Sequence, residues 1–198
     1  MTFKTIKHTK EVSFKERKSK FVGISFPISN ENDFSKKLDL IKKEHPKSNH
    51  FCHAYKLFHQ PHHLTKQSDD GEPLNSAGKP ILKQIEKLDL LNTAVVVVRY
   101  FGGTKLGVGG LIRAYKSAAE LALEKQEIIF KENLILLSFR FKYENQKKVM
   151  DIIKRIDKNL INHSMKEEYY MNIKLKEDEY ENMLNELKKV NSIVFLKD

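Results

Sequence analysis

Apolar and polar positions along this chain change period several times, and each change marks an element. Residues 3–14 alternate weakly, as a hairpin at a sheet edge would. Residues 21–28 form a denser apolar run, a strand that Pro27 ends or confines to an edge. Asp33 is placed to cap a helix whose inner face is Phe34, Leu38 and Ile41, and His45-Pro46 stops it. Residues 50–58 return to a period of two. Phe51, His53, Tyr55 and Leu57 share one side, and His50, Cys52, Ala54 and Lys56 the other. After a polar connection, Ser76-Ala77-Gly78-Lys79-Pro80 opens a helix through Ile81, Leu82, Ile85 and Leu88, with proline in the first turn.

The stretch 95–115 organises the rest. Val95 to Val98 are an unbroken β-branched run, short enough for a strand and apolar enough to be covered on both faces. Five of the eight glycines follow at once: Gly102, Gly103, Gly107, Gly109 and Gly110. Beyond them Leu111, Ala114, Tyr115, Ala118, Ala119, Ala122 and Leu123 recur at helical spacing. Strand, glycine loop and helix start aim free backbone N–H groups and the positive end of a helix dipole at one spot. Arg99, Lys105, Arg113 and Lys116 lie around it in sequence, so phosphate is the expected guest; Lys79 marks a second helix start of the same kind. The glycines spell no nucleotide fingerprint, because Val108-Gly109 stands where a Walker loop needs Lys-Ser/Thr. The competing reading is a tight connection that lets a helix pack close to a sheet.

A different pattern begins near Leu134: a strand over 134–143, a helix marked by Val149, Ile152, Ile153 and Ile156, strands over 160–165 and 169–175, a helix marked by Tyr180, Met183, Leu184 and Leu187, and a strand over 193–196. The order βαββαβ is the ferredoxin-like one. The expected organisation is therefore α+β in two domains, residues 1–130 and 134–198.

The formal net charge of +10 on 198 residues favours polyanionic partners, although acidic residues interspersed along the helices make many lysines solubilising. Arginine is scarce beside lysine, which argues against base-specific readout and for backbone attraction. Cys52 is the single cysteine, so no intrachain disulfide forms. Residues 1–10 carry no signal-like apolar core, and no run approaches the roughly 20 apolar residues of a membrane span. A cytoplasmic protein with no membrane partner is the expectation.

Three constellations remain. Asp69, Asp70 and Glu72 crowd a glycine-proline turn, where carboxylates hold Mg²⁺, act as acid and base, or cap their own backbone. His50, Cys52 and His62 are the nearest approach to a zinc set, without its spacing. Cys52 with His50 as base is the nearest approach to a nucleophile, though a lone strand cysteine ordinarily serves as a small buried hydrophobe.

Ser68-Asp69-Asp70-Gly71-Glu72-Pro73, Ala77-Gly78-Lys79-Pro80, Val96-Val97-Val98-Arg99-Tyr100-Phe101-Gly102-Gly103 and Leu106-Gly107-Val108-Gly109-Gly110-Leu111-Ile112-Arg113-Ala114-Tyr115 resemble the signature of the IMPACT/YigZ family. Lys18-Ser19-Lys20-Phe21 and His50-Phe51-Cys52-His53-Ala54-Tyr55 are similar to its shorter blocks. The resemblance implies a two-layer α/β N-terminal domain like the second domain of a small-subunit ribosomal protein. It also implies a C-terminal domain similar to ferredoxin-like domains of elongation factor G. The kinase-regulating role of eukaryotic relatives goes with an extra module that has no counterpart in these residues. What carries over is a translation-associated or nucleic-acid-binding role, with no established catalysis.

Two function classes follow. In the first, RNA or the ribosome is engaged through a basic groove. Lys79, Arg99, Lys105, Arg113 and the backbone of Gly107, Gly109 and Gly110 contact phosphates, and Tyr100, Phe101 or Tyr115 stack on a base. In the second, an Mg²⁺-dependent hydrolase or phosphotransferase acts on a nucleotide or phosphorylated metabolite. There Asp69, Asp70 and Glu72 hold the metal, His50 is the base, and Asp70 and Glu72 are the further catalytic candidates. A third expectation is a protein partner docking on the C-terminal sheet.

Overall fold

The computed structural model describes residues 2–59, 62–155, 160–165 (backbone only) and 168–196. The chain divides into two compact units, one over Phe3–Lys131 and one over Glu132–Asp198 with the N-terminal pair of residues.

In the first unit, strands β2 (Lys10–Glu16), β3 (Ser19–Pro27), β4 (His50–Leu57), β5 (Leu64–Ser68) and β6 (Thr93–Tyr100) form an antiparallel sheet in the order β2-β3-β6-β4-β5. The valine run lies at its centre, with Val95 to Val98 fully buried. Strand parity sends alternate residues to opposite faces. Phe21, Cys52, Ala54, Val95 and Val97 meet helices α2 (Gly78–Lys87) and α3 (Gly107–Glu124). Val22, Ile24, Phe26, Phe51, Tyr55, Val96 and Val98 meet Phe34 and Ile41 of α1 (Glu31–Glu44). Helix α1 thus adds a third layer to the expected two. Asn30, not Asp33, caps α1: its side chain accepts the Asp33 N–H at 2.8 Å, and the Asp33 carboxylate accepts the Ser29 N–H at 3.0 Å. Helix α3 lies so close to β3 that a Cβ on Gly23 would stand 2.4 Å from the Ala118 carbonyl oxygen.

The expected hairpin over 3–14 does not form. β1 (Thr2–Ile6) pairs instead with β7 (Ile128–Glu132), while β2 turns back on β3 through Arg17 and Lys18. Arg17 takes φ +52°, which the two-residue turn demands. Part of the connection after β4 is the edge strand β5, paired from Leu57↔Leu64 to His53↔Ser68.

The second unit carries β8 (Ile135–Phe141), a short 3₁₀ turn, α4 (Gln146–Ile153), β9 (Leu160–Met165), β10 (Tyr169–Leu175), α5 (Glu177–Lys188) and β11 (Val194–Leu196). Its antiparallel order β11-β8-β10-β9 is that of a ferredoxin-like sheet. Leu137, Phe139 and Phe141 pack with Val149, Ile153, Met183 and Leu187 in one core. Ile156, expected on the inner face of α4, lies outside the described residues. Among the described residues no helix is long and apolar enough to cross a membrane.

Candidate anion-binding cleft

Strand β6 delivers Arg99 and Tyr100 to the edge of a cleft of about 660 Å³. Lys105, Leu106, Gly107 and Val108 form one wall, and His50, Glu72 and Pro73 another, with Lys47 and Asn49 at the mouth. The acidic turn and the glycine loop therefore border the same space, a relation the sequence left open. The loop is fixed from behind by the 17–19 segment. The Gly102 N–H donates to Ser19 Oγ at 3.4 Å, and a Cβ on Gly102 would fall 1.7 Å from the Lys18 carbonyl oxygen. Gly107 opens α3 with φ +68°, a backbone state that costs glycine little. Among the described residues no side-chain hydrogen bond caps this helix, and its first turn carries no acidic residue.

The start of α2 is different, and the difference lies in Asp69. Its Oδ1 accepts the N–H groups of Ala77 at 2.9 Å and Gly78 at 2.8 Å, while Oδ2 accepts that of Asn75 at 2.8 Å. The chain supplies its own anion there, so the second expected anion site is filled. Lys79 stands exposed on α2, away from the cleft.

Each of the other carboxylates is engaged through one oxygen. Asp70, at φ +43°, accepts the Phe51 N–H on Oδ2 at 2.6 Å, and its carbonyl receives His50 Nδ1–H at 2.8 Å. Glu72 Oε1 accepts Arg99 at 2.6 Å and the Tyr115 hydroxyl at 2.8 Å, with the Glu72 side chain 5% exposed and that of Arg99 7%. The expected Mg²⁺ set of Asp69, Asp70 and Glu72 is thus corrected: each carboxylate is turned to a different partner. Among the described residues no three His, Cys, Asp or Glu side chains converge to hold a metal ion. Asp70 and Glu72 each commit one carboxylate oxygen to the fold, Asp70 to the Phe51 N–H and Glu72 to Arg99 and Tyr115.

Cys52 is fully buried, and its thiol donates to the Asp69 carbonyl at 2.9 Å. Burial pushes its pKa up to about 12, with the charges of Glu72, Asp70 and Asp69 adding to the rise against the hydrogen bond with Tyr115. That thiol is no nucleophile. Burial, with nearby Cys52 and Glu72, likewise drives the Tyr115 hydroxyl far above its ordinary range. Fully buried, Tyr115 cannot stack on a base.

The expected phosphate ligands therefore divide. Lys105 and Gly107 line the cleft, and so do Tyr100 and Arg99. Phe101 beside them is 56% exposed. Arg99 is an ion-paired wall residue lying 5.3 Å from the Phe101 ring, not a free cation. Its Nε is nonetheless buried with no hydrogen-bond partner among the described residues. Gly109 and Gly110 belong to the first turn of α3 without lining the cleft. Arg113 is exposed on α3, its guanidinium 3.7 Å from where a Cβ on Gly109 would stand. Sequence reasoning missed Lys47, which the cleft gains because α1 stops at His45 and the chain must turn into β4 past the end of β6. Ser48 Oγ–H to the Arg99 carbonyl, 2.7 Å, and the 2.7 Å contact of His45 Nδ1 with the Tyr100 hydroxyl hold that turn.

Residues 17–123 match the model of the Impact N-terminal domain, which takes in strands β3 to β6, helices α1 and α2, and all but the last residue of α3. The chain belongs to the IMPACT family. It is 43% identical over 117 residues to the IMPACT family member YvyE of Bacillus subtilis, a match covering 59% of this chain and 54% of that protein. It is also 31% identical over 153 residues to an IMPACT family member of Haemophilus influenzae, covering 77% and 74% respectively. With the IMPACT family member YigZ of Escherichia coli the identity is 32% over 127 residues, covering 63% and 62%. This IMPACT chain thus spans little more than half the length of its Bacillus relative. A crystal structure of a hypothetical protein superposes with a TM-score of 0.74 at 24% identity, over 100% of this chain and 97% of that one, which is a likeness of fold.

Proposed function

We propose that this IMPACT-family chain is a translation-associated, cytoplasmic regulatory protein that binds RNA or the ribosome through the phosphate backbone, seated in the cleft at the start of α3. The observation that carries the reading is the contrast between two helix starts in one domain. The amides at α2 are met by Asp69, whereas those at α3 have no capping side chain among the described residues and open beside a basic cleft. Lys47 and Lys105 supply positive charge, His50 lines the same wall as Glu72, and exposed Phe101 offers a ring for a base. A net charge of +10 draws polyanions toward the surface as a whole.

The test is the affinity for a labelled single-stranded RNA across a salt series. Log affinity should fall linearly with log salt, and Lys47→Gln with Lys105→Gln should flatten the slope by about 1.4, near 0.7 for each phosphate that is no longer neutralised. A salt-independent affinity, or a double variant indistinguishable from wild type, overturns the proposal.

A further inference from the structure

A second depression of about 640 Å³ lies between α2 and α3, outside the cleft. Its rim carries Lys79, Lys83 and Lys87 from α2 and Lys116 from α3. The α2 lysines are four residues apart, so they stand on one face at steps of about 6 Å. Lys87 is paired with Glu120 at 2.9 Å. Lys79, Lys83 and Lys116 are exposed and make no ion pair among the described residues. Gln84, 6% exposed, lines the same groove with its amide oxygen unpartnered among the described residues.

The groove and the cleft are neighbours through both elements that border them. Pro73 and Val108 line the cleft; Asn75 and Ile112, two residues and one helical turn further on, line the groove. Between them the chain exposes apolar side chains: Leu74 at 84%, Val108 at 53% and Ile112 at 38%. Basic cleft, apolar ridge and lysine groove make one track. Cations spaced along a backbone path, interrupted by a surface on which bases can rest, form the pattern of a single-stranded nucleic-acid channel. An acidic peptide would satisfy the lysines but gives no reason for their continuity with an anion cleft.

We infer that the α2–α3 groove is a second phosphate-backbone site, and that one RNA strand occupying the cleft continues over the Leu74–Val108–Ile112 ridge onto Lys79, Lys83 and Lys116. This rests on the cleft's being an RNA site, and the test separates the two. Oligouridylates of about 4 and about 12 nucleotides, within the span of known single-strand sites, are titrated across a salt series. The full chain is compared with a Lys79→Gln/Lys83→Gln/Lys116→Gln variant and a Lys47→Gln/Lys105→Gln variant. The groove variant should lower the salt slope for the longer strand by about 2 and leave the shorter one unchanged. If it binds the longer strand like wild type while the cleft variant does not, the groove is off the path and the cleft reading survives. If neither variant alters binding, both readings fall. If polyglutamate of matched charge competes as well as the longer RNA, the groove is a face for acidic polymers and this inference is overturned.

Discussion

Replacing Glu72 by Gln removes one charge and almost no volume from the most enclosed ion pair in the cleft wall. In the native protein one carboxylate oxygen accepts both Arg99, at 2.6 Å, and Tyr115, at 2.8 Å, with both charged side chains over nine-tenths buried. A buried pair of this kind adds little net stability against an apolar substitute. Removing one partner alone strands the other's charge and costs about 3–5 kcal/mol. Glutamine keeps an acceptor for the guanidinium, so about 3 kcal/mol is expected, a factor of about 150 in the folding constant. The chain has no tryptophan, so urea unfolding is followed by far-ultraviolet circular dichroism and tyrosine emission. Only the transition of the 3–131 unit should move. Adding Arg99→Met should recover part of the loss, because the stranded cation is gone and contacting sites are not additive. RNA affinity of folded Glu72→Gln should hold or rise, since a negative charge has left the cleft. Were Glu72 a catalytic or metal-binding carboxylate, its loss would leave stability intact and abolish ligand binding. Wild-type urea stability in Glu72→Gln refutes the reasoning.

Four further outcomes are expected. Cys52, its pKa raised from about 9 to about 12 by burial, should resist thiol reagents at pH 8 until the domain unfolds; prompt stoichiometric labelling of the native chain would contradict this. Because the folded pKa is the higher one, the associated stability is complete below pH 9 and is lost as pH climbs toward 12, so Cys52→Ala should show a shallower alkaline decline in urea midpoint. Gly102→Ala would force a Cβ to 1.7 Å from the Lys18 carbonyl oxygen, and should lower stability by about 3 kcal/mol in the same unfolding assay. A Cβ on Gly109 meets the Arg113 guanidinium at 3.7 Å and nothing nearer among the described residues, so Gly109→Ala should hold thermal stability or raise it by about 0.5 kcal/mol and, lying outside the cleft lining, leave RNA affinity unchanged.

What the sequence disclosed depended on whether the cause was local. The central valine strand, the two-sided β4 and the small-residue stripe of α3 were legible because period and burial agree over many positions. β1 was misplaced because its partner, β7, lies more than a hundred residues away, and no local pattern encodes that choice. The acidic turn was read with its bland and functional roles open. Its bland role depends on Asp69 reaching the amides of Ala77 and Gly78, eight and nine residues on, after a turn with Asp70 and Gly71 at positive φ. Arg99 held a signal that went unused. Counting by two from Val95 and Val97 puts it on the face covered by α3, so a buried arginine with a carboxylate partner was implied by parity alone.

That placement changes what kind of binding the cleft can support. With Arg99 neutralised by Glu72, the planar fork that suits a base edge or a bidentate phosphate is engaged within the protein. The charges left to meet a ligand are Lys47 and Lys105, compact cations on flexible stems, together with amides held on a rigid helix. Such groups attract a phosphate wherever it sits and read nothing of the base behind it. Under the proposed RNA reading, such a cleft finds its target by charge and by the path of the ligand's backbone, and selectivity comes from RNA shape or from a surface that presents several phosphates in register.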